Sequence, residues 1–165
     1  MNMFGNATGQ LEIGVEPWKA QCDVIKRGGA GVKGYVYAFD LSNADGDVTN
    51  NVPGDRASGF ANVRAPVSAD LSYGQFCVLE DDCADNARVK ATYRGAVNAF
   101  VIKGSGNIAK GDPLTVSTGG VFNATLAAGN KIVARALEDV TAPGATPTAC
   151  KVAFEGIHAI GVQTS

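Results

Sequence analysis

The chain carries one histidine, His158, and one tryptophan, Trp18, among 165 residues. A Ser-His-Asp or Cys-His catalytic unit would have to be built on His158, and the nucleophile elbow G-x-S-x-G is absent. The four cysteines, Cys22, Cys77, Cys83 and Cys150, include no C-x-x-C pair, which argues against a zinc knuckle. Charged residues make up 18% of the chain and the net charge is -2, so the basic footprint of a bulk nucleic-acid binder is missing. No apolar run is long enough to span a bilayer. The N-terminus lacks a basic stretch followed by an apolar one. No signal peptide is therefore expected, and the chain should be made in a reducing cytoplasm with its cysteines free.

Glycine, by contrast, is abundant, at 21 residues. Gly, Asn, Asp and Pro recur at short intervals between runs of Val, Ile, Ala and Phe, the punctuation of an all-β protein. The length suits one well-buried core or two small ones. The most regular stretch is Gly95–Gly156, with predicted strands at Ala96–Lys103, Pro113–Ser117, Lys131–Leu137 and Lys151–Phe154. One helical turn is expected at Leu126–Gly129, and the tail after Gly156 is expected to add a last short strand. Upstream, Cys22–Lys26 reads as a strand. Gly34–Phe39 has Tyr35, Tyr37 and Phe39 on one face and Val36 and Ala38 on the other, so this strand should be covered on both sides. Arg88–Arg94 alternates, with Val89, Ala91 and Tyr93 inward and Arg88, Lys90, Thr92 and Arg94 on the wet face. That basic row should be opposed by acids, for which Glu80 and Asp81 are the candidates. The predicted organisation is an extended N-terminal arm, 1–15, and a single β-rich domain, 16–165, divisible into sub-lobes 16–70 and 71–165.

Several stretches invite chemical readings that their spacing does not sustain. Lys26–Gly31, KRGGAG, is glycine-rich but lacks the Gly-Lys-Ser/Thr ending and the following helix of a phosphate cradle. Asp40–Asn51 holds many oxygen ligands, yet with Asp40 first, Ser42 and Ala44 fall where a calcium loop needs carboxylates or amides, and a hairpin turn at Asp45-Gly46 explains the same residues. Val52–Pro66 is a long connection of the kind that is often functional; Arg56 and Arg64 lie in it and could meet a partner's carboxylates. Glu80, Asp81, Asp82, Glu138, Asp139 and Glu155 supply carboxylates in number, but no aromatic-lined cleft can be inferred around a glycosidase pair. No catalytic, cofactor or metal residue is assigned, and the chain is expected not to be an enzyme.

Two segments look alike. Leu79-Glu80-Asp81 is followed by Lys90 and then Tyr93-Arg94-Gly95. Leu137-Glu138-Asp139 is followed by Lys151 and then Phe154-Glu155-Gly156. Both end a strand in Leu-Glu-Asp, cross a turn and return, which points to two related hairpins.

Over Gly106–Gly156 the chain resembles the capsid decoration, or cement, proteins of tailed bacteriophages. Lys110-Gly111-Asp112 with Leu114 holds the place of that family's turn and strand. Ala134 and Ala136-Leu137-Glu138-Asp139 hold its Ala-rich strand, and Lys151–Gly156 its short final strand. The resemblance implies a small β-barrel or β-tulip-like domain with long loops, without cofactor. It implies a homotrimer on the outer face of an expanded head, with the major capsid protein as partner and no direct contact with nucleic acid or membrane. Capsid-contact candidates are then Leu11, Ile13 and Val15 of the arm, with Arg56 and Arg64. Subunit-contact candidates are Trp18, Tyr35, Tyr37, Phe39, Ala134 and Ala136. The rival reading is a carbohydrate-binding β-sandwich that attaches to cell-surface glycan, which needs exposed platforms from Trp18, Tyr35, Tyr37, Tyr73 or Tyr93. A third is a small hydrolase using His158.

Overall fold

The structure is a computed structural model that describes residues 19–40, 60–157 and 160–162. Leu11, Ile13, Val15, Trp18, Arg56, His158 and the Asp45-Gly46 turn lie outside the described residues. The described chain is all-β. Its strands are β1 Ala20–Lys26, β2 Val36–Phe39, β3 Ala61–Arg64, β4 Phe76–Leu79, β5 Arg88–Ile102, β6 Pro113–Val116, β7 Phe122–Asn123, β8 Lys131–Ile132, β9 Ala134–Ala136, β10 Thr148–Glu155 and β11 Gly161–Val162. One short helix, α1 Asp70–Tyr73, precedes β4. The predicted helical turn at Leu126–Gly129 is a non-helical turn instead, and the predicted tail strand forms as β11, paired with β8 in a small second sheet.

Nine strands make one sheet in the order β1-β3-β2-β4-β5-β10-β9-β6-β7, which does not form a clear barrel. Two further pairings, β1–β5 and β5–β7, close it into two five-strand circuits that share β5. The division falls inside β5, where both Ala20 and Glu155 pair with Arg94, and not near residue 70. The sequence suggested two strands here, Arg88–Arg94 and Ala96–Lys103. They are one strand of 15 residues passing through Gly95, whose φ of 109° only glycine adopts at low cost.

The two circuits have the same topology. In each, the first strand runs parallel to the third, the third antiparallel to the second, the second to the fourth, the fourth to the fifth, and the fifth to the first. Lobe 1 uses β1, β2, β3, β4 and β5; lobe 2 uses β5, β6, β7, β9 and β10. The sequences follow suit. Val24-Ile25-Lys26 at the end of β1 recurs as Val101-Ile102-Lys103 at the end of β5, and Lys33-Gly34 recurs at the same spacing as Lys110-Gly111. The hydrogen bonds also recur. Gly31 and Cys83 exchange N–H···O bonds of 2.8 and 3.0 Å, as Ile108 and Val140 do at 2.9 and 2.9 Å. Gly34 N–H donates to Leu79 O at 2.9 Å and Gly111 N–H to Ala136 O at 2.8 Å. These bonds equate Leu79 with Ala136 and Asp82 with Asp139. Matching Leu-Glu-Asp to Leu-Glu-Asp is therefore one residue out of register, although Lys90 and Lys151 do correspond: they accept from Glu80 N–H at 3.0 Å and Leu137 N–H at 2.8 Å.

Each lobe has its own core. Val24, Tyr37, Val63, Cys77, Leu79, Val89 and Ala91 fill lobe 1. The larger core of lobe 2 gathers Val97, Leu114, Phe122, Val133, Val152 and Phe154 among others. Val36, Ala38, Phe76 and Val78, the opposite faces of β2 and β4, join the lobe 2 core. The double-sided apolar pattern of β2 is thus explained: β2 and β4 form a wall with a core on each side. The lobes also meet at Gly156, whose N–H donates to Tyr93 O and whose O accepts from Phe76 N–H, each at 2.8 Å. A Cβ there would lie 1.9 Å from Phe76 O and 2.5 Å from the Phe154 ring. Gly156→Ala is therefore expected to cost on the order of 3 kcal/mol or more, because backbone must move. Gly106→Ala, at a left-handed φ with open space around it, should cost about 1–2 kcal/mol. Urea unfolding of the two variants checks this, and a Gly156→Ala loss no larger than that of Gly106→Ala would contradict it.

Candidate interaction surfaces

Among the described residues, several acidic side chains hold backbone amides or basic side chains of the chain itself. Asp82 Oδ1 accepts the Lys33 N–H at 2.7 Å, and its counterpart Asp139 Oδ1 accepts the Lys110 N–H at 2.7 Å. Glu138 Oε1 accepts the Lys151 N–H at 2.7 Å. Glu155 pairs with Arg94 at 2.9 Å, and Arg88 pairs with Asp23. The acids facing the basic row of β5 thus come from the flanking strands β10 and β1. Glu80 is turned to Thr92 and Lys19, and Asp81 to Lys33 at 3.9 Å. Thr92, expected on the wet face, is fully buried, because β4 and β1 cover both sides of it and its hydroxyl is bonded to Glu80 and Gln21.

Lysines staple the two equivalent loops. Lys26 is 1% exposed. Its ammonium donates to Arg27 O and to Gly29 O at 3.0 Å, and lies 5.1 Å from the centre of the Tyr37 ring. In lobe 2, Lys103 Nζ reaches Asn107 O at 2.6 Å and Asp112 at 3.6 Å. Burial lowers the Lys26 pKa, opposed by the Asp85 and Cys83 charges. The glycine-rich loop that suggested a phosphate cradle is thus closed on a buried lysine of its own.

Of the subunit-contact candidates, three belong to the interior. Ala134 and Ala136 lie in the lobe 2 core. Tyr37 is in the lobe 1 core with its hydroxyl accepting the Val32 N–H at 2.9 Å. The alternation that marked them as packing residues reported burial within the chain. Tyr35 and Phe39 are half-buried against the lobe 1 core, and Tyr35 meets Phe100 edge-on at 5.4 Å. Arg64 is clasped by Asp70 through bonds of 2.7 and 3.2 Å and lies 3.8 Å from Asp40. This fork orders the approach to α1 and occupies the guanidinium internally.

Two features of the surface were not anticipated. A groove of about 350 Å³ lies where the lobes meet, lined by Val32, Lys33, Gly34, Asp82, Phe100 and Ala149 among others. Val32 at its edge is 43% exposed. Among the described residues the other exposed large apolar ones, Val67, Tyr73 and Ile160, sit around α1 and the β8–β11 pair. Among the described aromatic residues only Tyr73 is largely exposed, at 84%, so the described surface offers one ring where a glycan platform needs several. The signal that would have found the paired loops was in the sequence: Val-Ile-Lys and Lys-Gly at constant spacing mark the start of each lobe, whereas Leu-Glu-Asp marks a later position.

No protein-family model and no curated protein sequence matches the chain. Among solved structures, the N base of head fiber gp8.5 in bacteriophage phi29 is similar in fold. The TM-score is 0.52 and the identity 12%, over 87% of this chain and 99% of that one.

Burial raises the pKa of Cys77 well above its usual value. Burial and the Glu138 charge push Cys150 up to about 11. Neither forms much thiolate near neutrality. Iodoacetamide at pH 8 should leave Cys77 and Cys150 unmodified in the native protein and label both in denaturant, read by peptide mass spectrometry. Burial alone would also raise the Glu80 pKa, but hydrogen bonds from Thr92, Lys19 and Gln21 and the Lys19 charge outweigh it and hold it below the ordinary value of about 4.3. The stabilisation is then full above that value and is lost as pH falls through the lowered one. Glu80→Gln should cost about 1 kcal/mol at pH 7 and progressively less as the pH falls below about 4. Thermal unfolding across pH 3–7 checks it; a deficit independent of pH would refute the assignment.

Proposed function

We propose that this chain is a structural protein of a tailed-phage virion that binds the outer surface of the expanded head and bridges neighbouring major capsid proteins. The observation that carries the reading is the likeness in fold to a phage head-fibre base, spanning nearly the whole of that domain. The resemblance of Gly106–Gly156 to cement proteins supports it from an independent direction. The physics of the role matches the molecule. A shell under pressure from packaged genome is stabilised by any protein that binds its expanded form and not its precursor, by linkage alone. Such a protein needs rigid loops on a well-packed frame, and no bond-making chemistry. On this reading the protein is a homotrimer, not an enzyme, and works on the virion exterior with Leu11–Val15 among its capsid contacts.

The test is light scattering over a concentration series, with co-sedimentation on purified heads. The expected result is a trimeric mass and pelleting with expanded heads but not with procapsids. Removal of residues 1–15 should weaken pelleting while leaving the thermal unfolding of the domain unchanged. A monomer indifferent to expanded heads would defeat the proposal.

A further inference from the structure

The fold contains the same unit twice, and one feature of that unit faces outward in both copies. In lobe 1 it is the turn Lys33-Gly34, in lobe 2 the turn Lys110-Gly111. Both glycines are left-handed, with φ of 77° and 95°. Both lysine N–H groups are held by an aspartate side chain at 2.7 Å. Both glycine N–H groups are anchored to the end of their lobe's fourth strand, at 2.9 and 2.8 Å. Both lysine side chains are exposed. Each turn is thus fixed at its backbone by three features that recur residue for residue, while its ammonium is presented to solvent. The aspartate oxygen that holds each turn is committed to the backbone amide. The Lys33 ammonium lies 3.9 Å from the largely exposed Asp81, a separation at which an exposed pair contributes little.

A shell of identical subunits presents any one acceptor many times at fixed spacing. A protein that bridges two such subunits needs the same donor twice, also at fixed spacing. We propose that the Lys33 and Lys110 turns are a matched pair of attachment points, one per lobe, through which a single chain engages the same acidic surface feature on two neighbouring copies of one partner subunit. The inference rests on the capsid-binding reading above and adds to it the partner chemistry, a carboxylate, and the valency, two. Linking the sites makes the second contact intramolecular, so that two weak ionic contacts bind together far more tightly than either alone. The same ionic character makes the binding sensitive to salt.

The experiment measures binding of the full chain to purified expanded heads by co-sedimentation. The proteins are wild type, Lys33→Glu, Lys110→Glu, the double variant, and Lys90→Glu as a control at an exposed lysine of β5 outside either turn. Lys33→Gln and Lys110→Gln separate loss of charge from repulsion, and circular dichroism verifies folding. The expected result is that either single reversal weakens binding by a similar factor, on the order of 100-fold, since each removes one of the two sites of every chain. The double variant should bind more weakly than either single variant, and Lys90→Glu should bind as wild type does. If one reversal abolishes binding while the other leaves it unchanged, or if neither has an effect, the matched pair is overturned while capsid binding stands. If wild-type protein does not bind expanded heads at all, the reading beneath it fails and the pair falls with it.

Discussion

The structure depends on one strand serving two circuits. β5 is the last strand of lobe 1 and the first of lobe 2, so its two halves need different neighbours on both edges. Its first half is flanked by β1 and β4, its second by β10 and β7. A regular strand would carry one pair of neighbours along its whole length. Gly95, at φ 109°, lets the backbone change course at the exchange, and a register shift in the β1 pairing absorbs the extra residue. The consequence is that neither lobe is an independent bead on a string. Unfolding one removes a strand from the other, and β2 and β4 expose the apolar residues of one face if either core is lost.

Closing the circuits also removes most of the edges that β proteins must guard. Every strand of the nine-stranded sheet has a partner on each side along at least part of its length, whereas β8 and β11 pair only with each other. The polar side chains reinforce this closure. Asp82 and Asp139 each accept a backbone N–H of a turn, and Glu138 accepts one within β10. Lys26 and Lys103 donate to loop carbonyls.

Much of the fold was legible in the sequence because β structure writes a period of two wherever one face is buried. The strand at Lys151–Phe154, the proline opening β6 and the double-sided character of β2 could all be read in that way, whereas the single strand expected over Lys131–Leu137 is two, β8 and β9, in different sheets. The failures have a common cause. Alternation says that a side chain is buried and not by what. Tyr37, Ala134 and Ala136 looked like material for a subunit interface and are instead the chain's own core. Thr92 looked wet because threonine is polar, yet a hydroxyl that finds Glu80 and Gln21 is content inside. The repeat was visible at its Leu-Glu-Asp ends but misregistered by one residue, since hydrogen bonding, and not side-chain identity, defines equivalence in a sheet. The joining of Arg88–Arg94 to Ala96–Lys103 was hidden by Gly95, which in most sequences marks a turn and here marks a bend.

In the sequence the carboxylates were numerous enough to leave a hydrolytic pair open by counting. In the fold five of the six have a close partner: a backbone amide for Asp82, Glu138 and Asp139, an arginine for Glu155, and Lys19 and Thr92 for Glu80; Asp81 has only the distant, exposed Lys33. A general acid needs a pKa raised toward neutrality, and Glu80 is held below its ordinary value because its hydrogen bonds favour the charged form. Asp82 and Asp139 keep the two lysine turns in one shape. Rigid loops lose little conformational freedom on binding, which favours recognition of a fixed, repeated surface. Duplicating the unit then doubles the number of such loops without enlarging either core. The same economy accounts for two lysine-bearing turns on one frame, and for a chain whose charges hold its own loops in place.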